Sequence, residues 1–564
     1  MAWPCINPTP IGRCAAGTLS ENRNFGRRKG FCGERGEYLD MTTSLEQAGN
    51  PWAEVARLQH QVQELTAKVE WYEAQIRLAR ARQFGASHEH SDTAQLHLFN
   101  EAEQTVASAL EASTDPVATP RPKKPPGHRD AALAHLPVER IEYHLPESDQ
   151  VCTVCQGPLH AMSAEVRREL QVIPAQVKII EHVQAVYACR QCEREALTTP
   201  IRKAPMPRPI YPGSLASASL LAHTLHQKYT EGLPLYRQAQ EWARLGIPLS
   251  RQTLANWVVY AAHEWLRPLY RQLRQRLVER DILHADETTV QVLREDGRPA
   301  ERQSYMWLYR TGPDSPAIVL YEYQRTRAHE HPQAFLKGFQ GYLQVDGYAG
   351  YHGLPDVRLV GCWAHARRKF TDVLKSLPAQ DRDGPSATRS GLEFCNRLFA
   401  IERDLKDVTP AERLRARQER SRPVLAAFAA WLQEQTTTML PKSALGEAVT
   451  YCRNQWTALE AFLEDGRLAI DNNRAERAIK PFVMGRKAWL FANTPRGAQS
   501  SAIVYSIVET AKENGLNPQA YLQYLFEQLP SRDLNDPAIW EALLPWSTQL
   551  PPNLRTPVAP NVAN

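Results

Sequence analysis

The stretch Leu283-His-Ala-Asp-Glu-Thr-Thr-Val-Gln-Val-Leu293 decides how the rest of the chain is read. Thr, Val and Leu crowd a short run with charged residues on either side, the pattern of a buried strand. Asp286 sits in its middle, where a core strand has no structural use for a carboxylate. Two later acids look like its companions. Asp346 closes a short apolar run in Gly341-Tyr-Leu-Gln-Val-Asp-Gly-Tyr348, and Glu476 opens a helix in Asp471-Asn-Asn-Arg-Ala-Glu-Arg477.

Outward from Asp286, residues 304–310 and 317–323 read as two more strands and residues 331–339 as a helix. A fourth strand ends at Asp346, 60 residues on (286 to 346), and a fifth, 358–362, leads into Trp363-Ala-His-Ala-Arg-Arg-Lys-Phe370. Three strands, a helix and further strands is the order of a ribonuclease-H-like fold, whose first and fourth strands are neighbours. Glu476 follows Asp346 by 130 residues (346 to 476), much of it helical in pattern from about 385 to 465, as in a helical insertion. Asp471 is placed to cap the last helix, and Pro481 lies just past its expected end. Asn472, Asn473 and Glu476 share one face of it, with Lys480 one turn on. A surface ion-pair helix would carry similar charges, and Glu509 is a second candidate for the third acid.

At 564 residues the chain is too long for one core, and its 43% hydrophobic content with 41 prolines indicates several domains joined by linkers. The net charge of +5 is only mildly basic, so a nucleic-acid surface has to come from local patches. No apolar run approaches the roughly 18–20 residues of a membrane span, and no secretory leader is apparent. Residues 1–50 show no periodicity and read as disordered, with Cys5, Cys14 and Cys32 lacking ligand spacing and Met41 an alternative start. From Val55, apolar residues recur in steps of three and four: Leu58, Val62, Leu65, Val69, Tyr72, Ile76 and Ala79. That seam implies a coiled coil and self-association, against a helix packed on its own domain.

Residues 93–135 form a linker ending in a proline-rich basic stretch, 120–127. Cys152-Thr-Val-Cys155 and Cys189-Arg-Gln-Cys192 then supply the four thiolates of a closed structural zinc site, with strand-like alternation between them. Within the helical region 201–280, residues 233–246, 247–250 and 251–257 have a helix-turn-helix layout. Gly246 stops the first helix, Ser250 caps the second, and Arg251, Gln252, Thr253 and Asn256 face a DNA groove unless this is plain helical packing. Arg367, Arg368 and Lys369 are suited to phosphates. So are Arg467, Arg474, Arg477, Lys480, Arg486, Lys487 and Arg496, facing only Asp465, Asp471 and Glu476, with Trp489 and Phe491 among them. A solvated basic face is the plainer alternative. Cys362 and His365 lack two further zinc ligands and are read as local bracing.

At these residues the chain resembles DDE transposases of the insertion-sequence-66 family. His284-Ala-Asp-Glu-Thr, Gln344-Val-Asp-Gly-Tyr, Gly361-Cys-Trp-Ala-His-Ala-Arg-Arg-Lys-Phe, Asp471-Asn-Asn-Arg-Ala-Glu-Arg, Gly485-Arg-Lys-Ala-Trp-Leu-Phe and Glu509-Thr-Ala-Lys-Glu-Asn-Gly-Leu carry the match. The resemblance runs from the heptad helix to Leu543-Leu-Pro-Trp546 and leaves the two ends uncovered. With the reading of the residues it implies a multidomain α+β protein: disordered extension (1–50), leucine-zipper-like coiled-coil helix (51–92), linker (93–135), zinc module (136–200), helical DNA-binding region (201–280), ribonuclease-H-like core (281–375), helical insertion (376–465), the rest of the core with the Glu helix (466–530), and a C-terminal segment with a disordered tail (531–564). It implies that Asp286, Asp346 and Glu476 hold Mg²⁺ or Mn²⁺ for cleavage and strand transfer at the terminal inverted repeats of a bacterial mobile element. The implied partners are those repeats, target DNA, further copies of the chain and small accessory proteins of the same element, in the nucleoid-containing cytoplasm. A nuclease that cuts without joining, or an inactive DNA-binding relative, are the alternatives.

Overall fold

A computed structural model describes residues 51–84, 177–188, 194, 201–313, 316–377, 382, 384, 386–438 and 443–556. The extension, the linker, the four zinc-spaced cysteines and the end of the tail lie outside the described residues. Helix α1 (Pro51–Phe84) runs for 34 residues. Its seam residues Val55, Leu58, Val62, Leu65, Val69, Tyr72 and Ile76 are all exposed. On either side of the second cysteine pair, strands β1 (Val186–Ala188) and β2 (Ile201–Lys203) form an antiparallel pair. The part of the expected strand alternation before residue 177 lies outside the described residues, and over 177–185 the chain is not in a strand, with Val177, Ile179, Ile180 and Val183 exposed.

Four helices lead to the main sheet: α2 (Ala218–Tyr229), α3 (Leu235–Arg244), α4 (Arg251–Tyr260) and, after a π-helical turn, α5 (Arg267–Val278). The α3–α4 pair has the turn read from sequence. Gly246 adopts φ +76°, and the Ser250 hydroxyl accepts the Thr253 N–H at 3.0 Å. Leu254, Trp257 and Val258 bury one side of α4, leaving Arg251, Gln252 and Asn256 exposed on the other.

The sheet comprises β3 (Ile282–Gln291), β4 (Gln303–Thr311), β5 (Val319–Gln324), β6 (Gly341–Gln344) and β7 (Val357–Val360), in the order β5-β4-β3-β6-β7. The hairpin strands pair antiparallel, whereas β6 and β7 run parallel to β3. A short helix, α6 (Glu330–Phe335), makes the crossover. It ends earlier than expected because Gly338, at φ +93°, turns the chain back toward the sheet. After β7 come α7 (Trp363–Ser376) and the insertion helices α8 (Ala387–Asp404), α9 (Pro410–Ala416), α10 (Arg422–Thr438), α11 (Ala444–Asn454) and α12 (Trp456–Glu460). Their own apolar core gathers Trp363, Phe370, Phe428, Leu459 and Phe462.

Helices α13 (Asn473–Trp489) and α14 (Pro495–Glu513) cover one sheet face, followed by α15 (Pro518–Gln528) and α16 (Pro537–Leu543). Two expectations for α13 are corrected. Its N-cap is Asn472 rather than Asp471, and Pro481 lies inside the helix rather than beyond it. Burial of Ile479, Phe482 and Gly485 carries the helix past the missing proline N–H, since tertiary packing outweighs one lost hydrogen bond. The C-terminal segment is also ordered further than expected. Leu550 and Leu554 are buried, and Thr556 N–H donates to Gly515 O at 2.8 Å.

Gly341 starts the strand that delivers Asp346. Its φ is +148°, and a Cβ there would lie 2.2 Å from the Asp281 carbonyl oxygen. Because the obstacle is backbone, Gly341→Ala is expected to cost at least about 1–3 kcal/mol. A melting temperature equal to wild type would refute this.

Candidate functional site

Strand register puts the first two acids side by side. His284 pairs with Gln344 across the parallel β3–β6 ladder, and Asp286 and Asp346 each lie two residues further along. Cross-strand partners share a face. Asp286 is opposite Leu308, Leu308 is opposite Tyr321, and the Tyr321 hydroxyl donates to Ala478 O on α13. Asp286 therefore points to the face that α13 covers, and Glu476 stands in the first turn of that helix.

One buried side chain fixes this approach. Asn472 Nδ2 donates to Ala285 O at 2.8 Å, and its Oδ1 lies 3.0 Å from His284 Nδ1. An amide oxygen only accepts, so His284 carries its proton on Nδ1. Burial pushes the His284 pKa down to about 3, which keeps the ring neutral. The Asn472 backbone N–H donates to Cys362 Sγ at 3.2 Å, bringing the start of α7 to the same point. Asp346 is held from both sides: its Oδ1 accepts Tyr348 N–H at 2.9 Å, and its carbonyl accepts the Tyr451 hydroxyl of α11 at 2.7 Å.

Negative charge accumulates here. The Asp286 carboxyl is pushed up to about 8, by burial first and then by Glu287, Asp346 and Glu476. Glu287, pointing to the opposite face of β3, has its own partners. Arg327 pairs with it and Tyr351 donates to it at 2.5 Å, although burial still raises its pKa. Glu476 meets His365 Nδ1 at 3.7 Å and Arg368 at 3.9 Å. The three acids adjoin without closing into one cluster. Among the described residues, the one trio of metal-ligating atoms all within 4.8 Å of one another is Cys362, His365 and Glu476.

The basic residues read from sequence do not form one patch. Arg486 is tied to β3 through Thr288 and Thr289, and Arg467 is paired with Asp465 and Asp281. Arg474 and Arg477 line a separate cavity with Arg310, Glu509 and Glu513. Glu509, the second candidate for the third acid, lies in that cavity and pairs with Lys512 at 3.0 Å. Arg367 donates to Asn396 at 2.8 Å, and Lys369 lies over the Tyr451 ring. Lys480, Lys487 and Arg496 are exposed. Glu287, Arg327, Tyr351 and Tyr451 were not singled out from sequence. Asn472 was, but as sharing a helix face with Glu476 and not as the buried partner of His284 and Ala285.

Without divalent metal, Asp286 holds its proton in the fold to about pH 8 but ionises near 3.8 when unfolded. The folded state then binds the extra proton, so stability falls as pH rises through that window. Asp286→Asn, neutral throughout, is expected to raise the melting temperature in chelator more at about pH 8 than at about pH 4. Equal shifts at both ends would contradict the charge argument.

Sequence comparisons agree in where they match. The profile of the transposase IS66 family matches residues 213–500, that of the zinc-finger binding domain of transposase IS66 matches 149–193, and that of the IS66 C-terminal element matches 506–546. A profile described as transposase C of IS166 homeodomain matches 71–141, overlapping the end of α1 and the segment read as a linker. Two relatives in Sinorhizobium fredii (strain NBRC 101917 / NGR234), the uncharacterized proteins y4jD and y4qI, are 32% and 30% identical to it. The first match covers 79% of this chain and 89% of the relative, the second 88% and 92%. With the zinc-finger, transposase and C-terminal-element profiles of one family matched in order along a mixed α+β fold, the chain belongs to the IS66 family of transposases.

Proposed function

We propose that Asp286, Asp346 and Glu476 are a DDE triad on a ribonuclease-H-like core, and that the protein cuts and joins DNA at the ends of its own mobile element. The observation that carries this reading is the Asp286 carboxyl, raised by burial and by three neighbouring acids of which two, Asp346 and Glu476, are the other members of the triad. A site that gathers carboxylates at such cost is built for cations. The sheet order, with three antiparallel strands followed by two parallel ones, supports the ribonuclease-H-like reading.

The donors are hard carboxylate oxygens from the middle of β3, from just past the end of β6 and from one helix, a set that fits Mg²⁺ or Mn²⁺ rather than zinc. Bound ions of this kind supply Lewis acidity toward the attacking and leaving oxygens of an in-line displacement. The chain's own part is to place and charge these ligands. The Asp346 loop is fixed by Tyr451, and Asn472 sets the distance between β3 and the Glu476 turn. Water serves as nucleophile for cutting and a freed 3′-hydroxyl for joining, so no serine or tyrosine nucleophile is required.

Around this centre, Arg251, Gln252 and Asn256 on the open side of α4 are assigned to the element ends. Arg367, Arg368, Lys369, Lys480 and Lys487 are assigned to phosphates, and Arg474, Arg477 and Arg486 to positioning the α13 helix as much as to DNA. Cys152, Cys155, Cys189 and Cys192 are assigned to the structural zinc of the zinc-finger domain. The exposed seam of α1 supports a homo-oligomer in the bacterial cytoplasm, assisted by small proteins of the same element.

Labelled element ends incubated with Mg²⁺ or Mn²⁺ test the chemistry. Joined products are expected from wild type, falling to background in Asp286→Ala. Nicks without joining would instead identify a nuclease, and binding without cleavage in either metal an inactive relative. The seam is tested separately. Val62→Lys combined with Leu65→Lys is expected to lower the solution molar mass measured by light scattering, and an unchanged mass would remove α1 from the interface.

A further inference from the structure

Cys362 caps the start of α7 and His365 stands in its first turn, directly against the Glu476 turn of α13. One ligand atom from each of the three lies within 4.8 Å of the other two. His365 Nδ1 and Glu476 Oε1 face each other at 3.7 Å, both buried and both without a hydrogen-bond partner. That separation is too long for a hydrogen bond, yet it suits two donors on one ion. Burial pushes the Cys362 thiol up to about 12, and the backbone N–H groups of Asn472 and His365, which donate to its sulfur, offset part of that rise. Sulfur, imidazole and carboxylate together form a borderline-to-soft donor set, unlike the all-oxygen set of Asp286 and Asp346.

We propose that Cys362, His365 and Glu476 bind one transition-metal ion of the zinc class, separate from the zinc finger and with its fourth position open to water or a phosphate oxygen. Three protein ligands with one open position is the arrangement of an accessible zinc site rather than a closed structural one. The ion displaces the Cys362 proton to solvent on binding, as any thiolate ligand requires. One consequence rests on the triad reading above. Glu476 belongs to both donor sets, so filling this site withdraws it from the hard ions held with Asp286 and Asp346.

Cobalt tests the site without DNA or magnesium. Full-length protein whose zinc finger is already loaded with zinc is titrated with Co²⁺, followed by the thiolate-to-cobalt charge-transfer absorption and by metal content per chain. Wild type is expected to take up one cobalt more than either Cys362→Ser or His365→Ala, and the charge-transfer band is expected to disappear in Cys362→Ser. The zinc-finger cysteines are intact in all three proteins, so the difference isolates this site. If either variant, shown to be folded by its melting transition, binds as much cobalt as wild type with the same spectrum, the site does not exist. Loss of the triad reading would appear elsewhere, as absent strand transfer with cobalt binding intact.

Discussion

The Asn472 side chain is fully buried and bonded to both His284 and the Ala285 carbonyl, while its backbone N–H reaches Cys362. Those contacts join the strand that carries Asp286, the turn after β7 and the helix that carries Glu476. A buried amide is costly to leave unpaired, so each contact holds only while the others do. Sequence separation makes this dependence severe. The residues involved span positions 284 to 472, and no local propensity brings them together.

The helical insertion takes part in the same arrangement. Tyr451 bonds the Asp346 carbonyl, and Gln455 Nε2 reaches the carbonyl of Gly347. Gly361 N–H donates to Ala458 O, and the Trp363 indole donates to Leu459 O. Gly361 also packs so tightly that an added Cβ would meet the Leu459 backbone nitrogen at 3.0 Å. The insertion thus braces the segment after β6 and the segment after β7, the two that border the acidic centre.

Charge is sorted by face. Glu287 and Asp286 are neighbours in sequence, but strand alternation sends Glu287 to Arg327 and Tyr351 and leaves Asp286 among acids. Helix α13 sorts its own residues likewise, with Glu476 toward the acids and Arg474 and Arg477 toward the cavity of Arg310 and Glu509. A run that is basic when counted along the chain therefore becomes two surfaces of different character.

The sequence by itself determined most of the elements and marked Asp286 as an acid out of place in a core strand. A carboxylate inside an apolar strand pattern is costly, and that cost is visible in Asp286 and its neighbours without coordinates. The strand order, the helix-turn-helix punctuation at Gly246 and Ser250 and the amphipathic helices follow from short-range periodicity and turn chemistry, which the chain states locally. Tertiary structure alone decided the rest. Pro481 lies inside α13 because distant packing outweighs one lost hydrogen bond, and residues 548–556 are ordered because Leu550 and Leu554 find a core. Cys362 and His365 gained a third ligand-bearing neighbour only when α13 folded against α7. Such contacts depend on which surfaces meet across more than a hundred residues, and local sequence carries no record of that.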